Sequence, residues 1–301
     1  MREGARPPLL HLKAEPHMSH ATRQIAHDII GAGPPVLLLH GFPQTRAMWH
    51  AIAPRLARDF TVVTADLRGY GASHKPETME QMSFRAMAAD QVALMQSLGF
   101  DRFHVVGHDR GGRTAHRMAL DAPQALLSLT VMDIVPTQLL LTEMTHEIAR
   151  AYYHWLFLAQ PEPLPETLIN RDPVAYFEGI LTGIGGSGAA FDPTAMQAYR
   201  TAWRDPQVVR CMCNDYRAAS DVDLALDTAD LHRMVDVPAL VLYGADGIMA
   251  RHFDVPATWS ARLSDMQSAP VTGGHFFPDT HPDETADALH RFLGQQAQIT
   301  P

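Results

Sequence analysis

The sequence predicts an α/β fold, in which helices cover both faces of a mostly parallel sheet and a helical region interrupts the sheet. Short, wholly apolar segments such as residues 36–39 are typical of strands buried in a parallel sheet. Helical segments alternate with these strands at the spacing of strand–helix–strand units. Between about residues 136 and 229 this alternation stops, and a helical, aromatic pattern replaces it.

The individual elements follow from local patterns. Strands are expected at residues 23–30, 36–39, 61–65, 103–107, 127–132 and 238–243. Helices are expected at residues 48–58, 83–98, 111–120 and 285–292. Ser83 is a suitable N-cap for the second helix, and Gly99 is suited to its C-terminal end. We therefore expect the same strand–helix order before and after the interruption.

This interruption gives the predicted domain organisation. Residues 1–135 form the first part of an α/β core and begin with an irregular, proline-containing lead at 1–20. Residues 136–229 form a helical cap, and residues 230–301 complete the core. The cap should lie over the carboxyl ends of the strands, where ligands bind in open α/β sheets.

Composition narrows the function classes. The chain has 301 residues, and its formal net charge of −9 offers no general basic surface for nucleic acid. We find no apolar run long enough to span a membrane and no signal-peptide pattern. The two cysteines, Cys211 and Cys213, make neither a disulfide framework nor a four-ligand zinc site. A cytoplasmic protein without nucleic-acid or membrane partners is expected.

Residues 107–111, Gly-His-Asp-Arg-Gly, lie between a predicted strand and a predicted helix. This pattern is typical of a sharp turn that lifts its central side chain above the sheet. The centre is Asp109 instead of serine or cysteine. Because a carboxylate is ionised at neutral pH, Asp109 needs no base to displace a leaving group from saturated carbon and form an ester. The alternative is a polar residue that caps the next helix.

His275 is the candidate base that directs water at this ester. It follows two glycines in a loop after a short strand, in the chain order nucleophile, acid, histidine. Residues 40–43, His-Gly-Phe-Pro, follow the first strong strand. The backbone amides of Phe42 and Arg110 would form an oxyanion hole for hydrolysis of the ester.

Two acidic residues are candidates for orienting His275. Asp133 directly ends the strand at 127–132, and Asp246 follows the strand at 238–243. We favour Asp133 because of its place at the strand end, whereas Asp246 lies in a segment that also suits a plain turn.

Arg110 and Arg113 indicate the substrate. They lie at i and i+3 on the helix that begins at the turn, so they share one face. Guanidinium groups bind carboxylates through paired hydrogen bonds, and a helix N-terminus favours an anion. The predicted substrate is a small carboxylate with a leaving group on its α carbon, and the chemistry requires neither a metal nor an organic cofactor. Alternatively, one arginine neutralises Asp109 and the other lies in solvent.

Seven segments together resemble the fluoroacetate (haloacetate) dehalogenases of the α/β-hydrolase superfamily. They are His-Gly-Phe-Pro at 40–43, Asp-Leu-Arg-Gly-Tyr-Gly at 66–71, Gly-His-Asp-Arg-Gly-Gly-Arg at 107–113, Met-Asp-Ile-Val-Pro at 132–136, His-Trp at 154–155, Asp-Tyr-Arg at 215–217 and Gly-Gly-His-Phe-Phe at 273–277. The likeness runs from about residue 33 to 292. It implies an α/β-hydrolase core with an inserted helical cap, a haloacid substrate and a homodimer.

The resemblance also implies roles for the matching residues. Asp109 would be the nucleophile, His275 the base and Asp133 the acid that orients it, while Arg110 and Arg113 would bind the substrate carboxylate. The implied reaction converts fluoroacetate or chloroacetate to glycolate and halide through an ester of Asp109.

Three cap residues, His154, Trp155 and Tyr216, would bind the departing halide if the resemblance holds. Imidazole, indole and phenol groups can each donate a hydrogen bond. Donors aimed at the charge that develops on a poor leaving group such as fluoride stabilise the transition state.

Three other functions compete with this interpretation. An epoxide hydrolase would use the same Asp and His with cap tyrosines, for which Tyr152, Tyr153 and Tyr216 are available, but it has no use for two arginines at the turn. A haloalkane dehalogenase would usually place tryptophan where Arg110 stands. A non-catalytic binding protein of the same fold commonly lacks a catalytic residue, and none is missing here.

Overall fold

A computed structural model describes residues 24–185 and 191–299 of the chain. The strands are β1 (His27–Ile30), β2 (Pro35–Leu39), β3 (Thr61–Ala65), β4 (Phe103–His108), β5 (Leu126–Met132), β6 (Ala239–Gly244) and β7 (Met266–Val271). They form one sheet in the order β1-β3-β2-β4-β5-β6-β7. β1 is antiparallel to β3, and all other neighbours are parallel. The predicted mostly parallel sheet is confirmed, while the predicted lead at 1–20 lies outside the described residues.

The α-helices of the described residues range from a single turn to the 18 residues of the last helix. They are α1 (Ala53–Leu56), α2 (Phe84–Ser97), α3 (Arg110–Asp121), α4 (Thr137–Thr142), α5 (His146–Ala151), α6 (Tyr153–Leu158), α7 (Leu164–Ile169), α8 (Pro173–Gly185), α9 (Pro193–Trp203), α10 (Pro206–Ala218), α11 (Leu224–Ala229), α12 (Ile248–His252), α13 (Val255–Ser260), α14 (Phe277–Thr280) and α15 (Pro282–Ile299). Across residues 24–185 and 191–299, none of them is both long and apolar enough to cross a bilayer.

The central strands are buried because helices cover both faces of the sheet. Leu37 of β2 pairs with Val105 of β4, which pairs with Leu129 of β5, and all three side chains are fully buried. This burial explains why these strands are apolar without alternation. At the edge, β1 is half-buried to exposed and antiparallel, which explains why the segment predicted at 23–30 alternates imperfectly between apolar and polar residues.

The helix predicted at 48–58 is wrong in its extent. The structure has a 3-10 helix at Arg46–Trp49, a turn, and then only the single turn of α1. Pro54 lies in the first turn of α1, and a proline cannot donate the hydrogen bond that would continue a preceding helix. Ser83 caps α2 as predicted, since its side chain accepts a hydrogen bond from the Ala86 amide.

All the helices from α4 to α11 lie between β5 and β6, where the sequence predicts a helical region. This helical insertion (Thr137–Ala229) touches the loops that follow the strands. The indole of Trp203 donates a hydrogen bond to the Pro43 carbonyl (2.6 Å), and the Tyr199 hydroxyl donates one to Asp279 (2.9 Å). The insertion therefore lies over the carboxyl end of β2, and the division into domains at residues 135 and 229 stays a prediction.

Candidate active site

Asp109 occupies a strained turn between β4 and α3. Its φ of 49° lies in the left-handed region that non-glycine residues rarely adopt. The turn needs glycine on both sides: a Cβ on Gly107 would lie 2.2 Å from the Gly111 carbonyl oxygen, and one on Gly111 would lie 2.4 Å from the Leu39 carbonyl oxygen. Close approach of the strand and helix thus explains the Gly-x-Asp-x-Gly pattern.

The two carboxylate oxygens of Asp109 have different surroundings. Oδ1 accepts a hydrogen bond from the Phe42 amide (2.9 Å), and Oδ2 lies 3.8 Å from His275 Nε2. Burial alone would raise the pKa of Asp109, but the charges of His275 and Arg110 and the Phe42 hydrogen bond lower it to about 2. The carboxylate is therefore ionised at neutral pH, with Oδ1 held and Oδ2 available.

Asp133 orients His275 directly. Its Oδ2 lies 2.6 Å from His275 Nδ1, and its Oδ1 accepts a hydrogen bond from the Gly244 amide (2.8 Å). Asp133 ends β5 with a φ of 51°, a second strained position beside the first. The side chain of Asp246 is exposed to solvent. Of the two candidates, the structure brings Asp133 to His275.

His275 lies between the carboxylates of Asp133 and Asp109. Burial lowers its pKa, but the hydrogen bond and charge of Asp133, with the charge of Asp109, raise the pKa above its usual value. His108 supports the loop: its Nε2 donates a hydrogen bond to the His275 carbonyl (2.8 Å), and the two rings lie 4.8 Å apart. Burial lowers the pKa of His108 to about 4, so it stays neutral.

The side chain of Arg110 is fully buried and held from one side. Its Nε and Nη2 donate hydrogen bonds to the Asp215 carboxylate, and Nη2 also donates to the Asp215 carbonyl (2.8 Å). The Tyr70 hydroxyl donates to the same carboxylate (2.6 Å). Arg110 Nη1 is buried and has no hydrogen-bond partner in the described part of the chain. One guanidinium nitrogen thus remains available to a ligand.

Arg113 is buried without a bound carboxylate. Its Nη1 donates to the Val135 carbonyl and to the Thr137 hydroxyl, both at 3.0 Å. Burial lowers its pKa to about 10, so it is still a cation at neutral pH. Since Arg110 and Arg113 are 0% and 3% exposed, neither lies in solvent. A buried cation without a counter-ion is costly, which favours an anionic ligand.

Trp155 and Tyr216 lie against the two guanidinium groups. Arg110 Cζ is 4.2 Å from the Tyr216 ring centre and 4.9 Å from that of Trp155, and Arg113 Cζ is 4.9 Å from Trp155. The aromatic faces stabilise the cations. The structure therefore brings two of the three predicted halide ligands to the predicted carboxylate ligands.

His154 completes the group. Its ring stacks on Phe42 at 5.4 Å and lies 5.6 Å from the Tyr216 ring. Burial lowers its pKa to about 3, so the imidazole is neutral and still carries one N–H. Among the described residues, His154 Nδ1 and the Tyr216 hydroxyl are buried without hydrogen-bond partners. These atoms are free to bind a ligand.

Comparison with known proteins places the chain in a family. The model of the alpha/beta hydrolase fold family matches residues 34–282. The chain is an α/β hydrolase. The hydrolase is 53% identical over 267 residues to a fluoroacetate dehalogenase from Burkholderia sp, which covers 87% of this chain and 88% of the relative.

Two further proteins are similar to this α/β hydrolase in sequence or structure. A soluble epoxide hydrolase from Corynebacterium sp. (strain C12) is 30% identical, covering 87% of this chain and 91% of its own. The crystal structure of a protein from Nostoc sp PCC 7120, assigned to the α/β hydrolases, superposes with a TM-score of 0.89 at 45% identity and covers 92% of this chain and 96% of its own.

Sequence reasoning missed three residues that hold the site of this hydrolase. Asp215 and Tyr70 fix Arg110, and His108 holds the His275 loop. All three lie inside segments that carry the family resemblance, and Asp215 and His108 stand next to Tyr216 and Asp109, two residues with predicted roles. This position is a signal for Asp215 and His108, but nothing in the sequence shows which side chains the three residues contact.

Proposed function

We propose that this α/β hydrolase removes halide hydrolytically from small α-haloacids such as fluoroacetate and chloroacetate, releasing glycolate and halide. One observation carries the proposal: the ionised carboxylate of Asp109 is buried beside two buried arginines, Arg110 and Arg113. An anionic attacker next to two cations suits a substrate that is itself an anion. The 53% identity to a fluoroacetate dehalogenase supports the same chemistry.

In the first step, the substrate carboxylate binds Arg110 Nη1 and Arg113, which directs its α carbon at Asp109 Oδ2. Oδ2 forms a bond to this carbon while the carbon–halogen bond breaks in line. The halide leaves with the bonding electrons towards His154, Trp155 and Tyr216. Donor groups there stabilise the charge that develops on the halide. The product of this step is a glycolyl ester of Asp109.

In the second step, His275 Nε2 takes a proton from a water molecule, whose oxygen attacks Cγ of Asp109. Negative charge develops on Oδ1, where the Phe42 amide already donates a hydrogen bond. The hydrogen bond to Asp133 stabilises the protonated His275. Collapse of the intermediate releases glycolate, and Asp109 returns to its carboxylate form as one proton passes to solvent.

A single turnover with chloroacetate in heavy-oxygen water tests this route. The heavy oxygen should appear in Asp109, because glycolate takes its hydroxyl oxygen from the carboxylate. Label confined to glycolate would rule out the ester. In His275→Asn the first step should persist, so the ester should accumulate and be detected by mass, while Asp109→Asn should release no halide.

Hydrolysis of neutral epoxides is a second candidate, favoured by the 30% identity to a soluble epoxide hydrolase. The two arginines disfavour hydrolysis of neutral epoxides, because such a substrate brings no negative charge to the buried Arg113 guanidinium. Parallel assays with chloroacetate and styrene oxide separate the two functions. We expect chloride release and no diol from styrene oxide.

We also propose that the protein is a cytoplasmic homodimer. Both cysteines are buried and free, which suits a reducing compartment. The helical insertion exposes four large apolar side chains, each 48 to 51% exposed: Tyr153, Leu156, Leu164 and Leu168. Large apolar side chains exposed in this way suit a contact with a second copy. Light scattering should give twice the chain mass, and Leu156→Glu with Leu164→Glu should give the monomer.

A further inference from the structure

Tyr152 is a buried group that the dehalogenation steps leave unused. Its side chain is 2% exposed, and its hydroxyl has no hydrogen-bond partner within the described ranges. The ring lies 6.0 Å from His275 and 5.7 Å from His154. An unpaired buried hydroxyl costs free energy, so its place beside the catalytic histidine suggests a ligand.

Tyr216 mirrors this arrangement. Among the described residues its hydroxyl is also buried without a partner, and its ring lies 5.6 Å from the His154 ring. Burial raises the pKa of both phenols well above the usual value, and the charge of Asp109 raises it further. Both hydroxyls therefore stay protonated, and both are near enough to Asp109 to feel its charge.

Two phenols can donate both hydrogen bonds and protons, whereas a departing halide requires only hydrogen bonds. A departing halide accepts hydrogen bonds and never takes a proton, whereas an alkoxide needs a donor that can also give up its proton. Two buried phenols beside a carboxylate nucleophile suit an oxygen whose bond to the attacked carbon breaks while it stays attached to the rest of the substrate. An epoxide has such an oxygen.

The arginines limit which epoxide can bind. Arg113 makes no direct ion pair among the described residues, since its Nη1 donates to a carbonyl and a hydroxyl, and Arg110 Nη1 has no partner there. We propose that the site also hydrolyses α,β-epoxy carboxylates, with oxirane-2-carboxylate (glycidate) as the smallest member, and that Tyr152 and Tyr216 hold the epoxide oxygen. This inference rests on the proposed roles of Asp109 and the arginines. Glycidate fits the same scheme because its epoxide carbon is α to the carboxylate, as the halogen-bearing carbon is in haloacetate.

The atoms balance without a further reactant. Asp109 Oδ2 bonds to the α carbon, the bond from this carbon to the epoxide oxygen breaks, and a tyrosine passes its proton to that oxygen. Water activated by His275 then cleaves the ester. The proton shed as Asp109 returns to carboxylate restores the phenol. Glycidate and one water give 2,3-dihydroxypropanoate, with the configuration at the α carbon inverted.

The first experiment incubates the full-length protein with glycidate and measures 2,3-dihydroxypropanoate. Glycidamide, the uncharged analogue, is the substrate control, and Asp109→Asn is the enzyme control. We expect the dihydroxy acid with inverted configuration, and kcat/KM for glycidamide at least about 100-fold lower because it cannot use the arginines. In His275→Asn, the trapped ester should carry the mass of a whole glycidic acid, since ring opening expels nothing.

The second experiment compares Tyr152→Phe with Tyr153→Phe, a neighbour whose side chain is 48% exposed. Loss of a positioned acid should lower kcat with glycidate by about 100-fold in Tyr152→Phe. Chloroacetate turnover should fall by less than about tenfold in the same variant, because chloride needs no proton. Tyr153→Phe should change neither reaction. An equal loss with both substrates in Tyr152→Phe would overturn the assigned role.

Chloroacetate assays separate the two proposals. Chloride release without any dihydroxy acid above the Asp109→Asn background overturns the epoxy-acid activity and leaves the dehalogenase standing. Dihydroxy acid without chloride release supports the epoxy-acid activity and overturns the dehalogenase. Absence of both products overturns both.

Discussion

Arg110 and Asp215 form an ion pair in which both side chains are 0% exposed, although 105 residues separate them in the chain. The Asp215 carboxylate binds one edge of the guanidinium group, at Nε and Nη2, and Nη1 has no partner among the described residues. The pair neutralises the charge of Arg110, so Arg113 remains the cation without a bound carboxylate. The two arginines therefore differ in what they offer an anionic substrate. Arg110 offers a hydrogen-bond donor in a fixed position, and Arg113 offers an unpaired positive charge.

Asp215→Asn should weaken substrate recognition. It removes the charge that fixes Arg110, so the guanidinium loses its orientation and kcat/KM for chloroacetate should fall at least about tenfold. Breaking a buried pair should also cost about 3 kcal/mol of unfolding free energy. Asp90→Asn is the matched control, since Asp90 pairs with buried Arg68 away from the nucleophile. Steady-state kinetics and urea unfolding measure both effects. A loss of activity as large in Asp90→Asn would contradict the assignment.

Arg113→Gln should act mainly on affinity. The variant removes the unpaired cation, worth about 2–3 kcal/mol in a charge-assisted hydrogen bond, so kcat/KM should fall by about 30- to 100-fold with a raised KM. Arg117→Gln, one turn along α3 and paired with Asp121 and Asp230, is the control and should keep normal KM. An unchanged KM in Arg113→Gln would show that the carboxylate binds elsewhere.

The two chemical steps should respond differently to pH. Because the pKa of Asp109 is about 2, ester formation should be constant between about pH 5 and about pH 8. Ester hydrolysis needs neutral His275, so its rate should fall as the pH drops through the pKa of His275, which the hydrogen bond and charge of Asp133 still raise when Asp109 is esterified and uncharged. Mild acid should therefore make the ester accumulate. Rapid quenching followed by intact mass analysis measures it.

Asp133→Asn supplies the check on this pH dependence. Without the carboxylate, burial dominates, and the pKa of His275 should drop, which moves the acid limb of hydrolysis to lower pH. The maximal rate of hydrolysis should fall as well, since the imidazolium loses its partner. An acid limb that stays in place would assign it to another group.

Gly107→Ala should abolish the turn at the nucleophile. The added Cβ would meet the Gly111 carbonyl oxygen at 2.2 Å, and backbone atoms there cannot give way, so we expect a loss of at least about 3 kcal/mol or no folded protein. Gly179→Ala, inside α8 with no atom near its Cβ, should instead stabilise the protein by about 0.5–1 kcal/mol. Thermal unfolding of the two variants gives the comparison.

The sequence predicts the fold and most of the candidate site because both depend on local patterns. Apolar strands, the glycines of the turn and the place of His275 in the chain order all have local signals. The broken helix near Pro54 was missed because the apolar spacing persists across the break. Asp215 was missed for another reason: its partner lies on another element, and no periodicity records how the helical insertion lies against α3.

Because the Phe42 amide donates its hydrogen bond to Oδ1, the two oxygens of Asp109 have different roles in the proposed reaction. In the proposed mechanism, Oδ2 leaves with the product in each cycle, and an oxygen atom from water takes its place. Oδ1 stays on Asp109, where it accepts the hydrogen bond from the Phe42 amide. After many cycles in heavy-oxygen water, the protein should have gained one heavy atom at this side chain, not two. One oxygen of the nucleophile is therefore used up in each proposed turnover and is replaced by an oxygen from water.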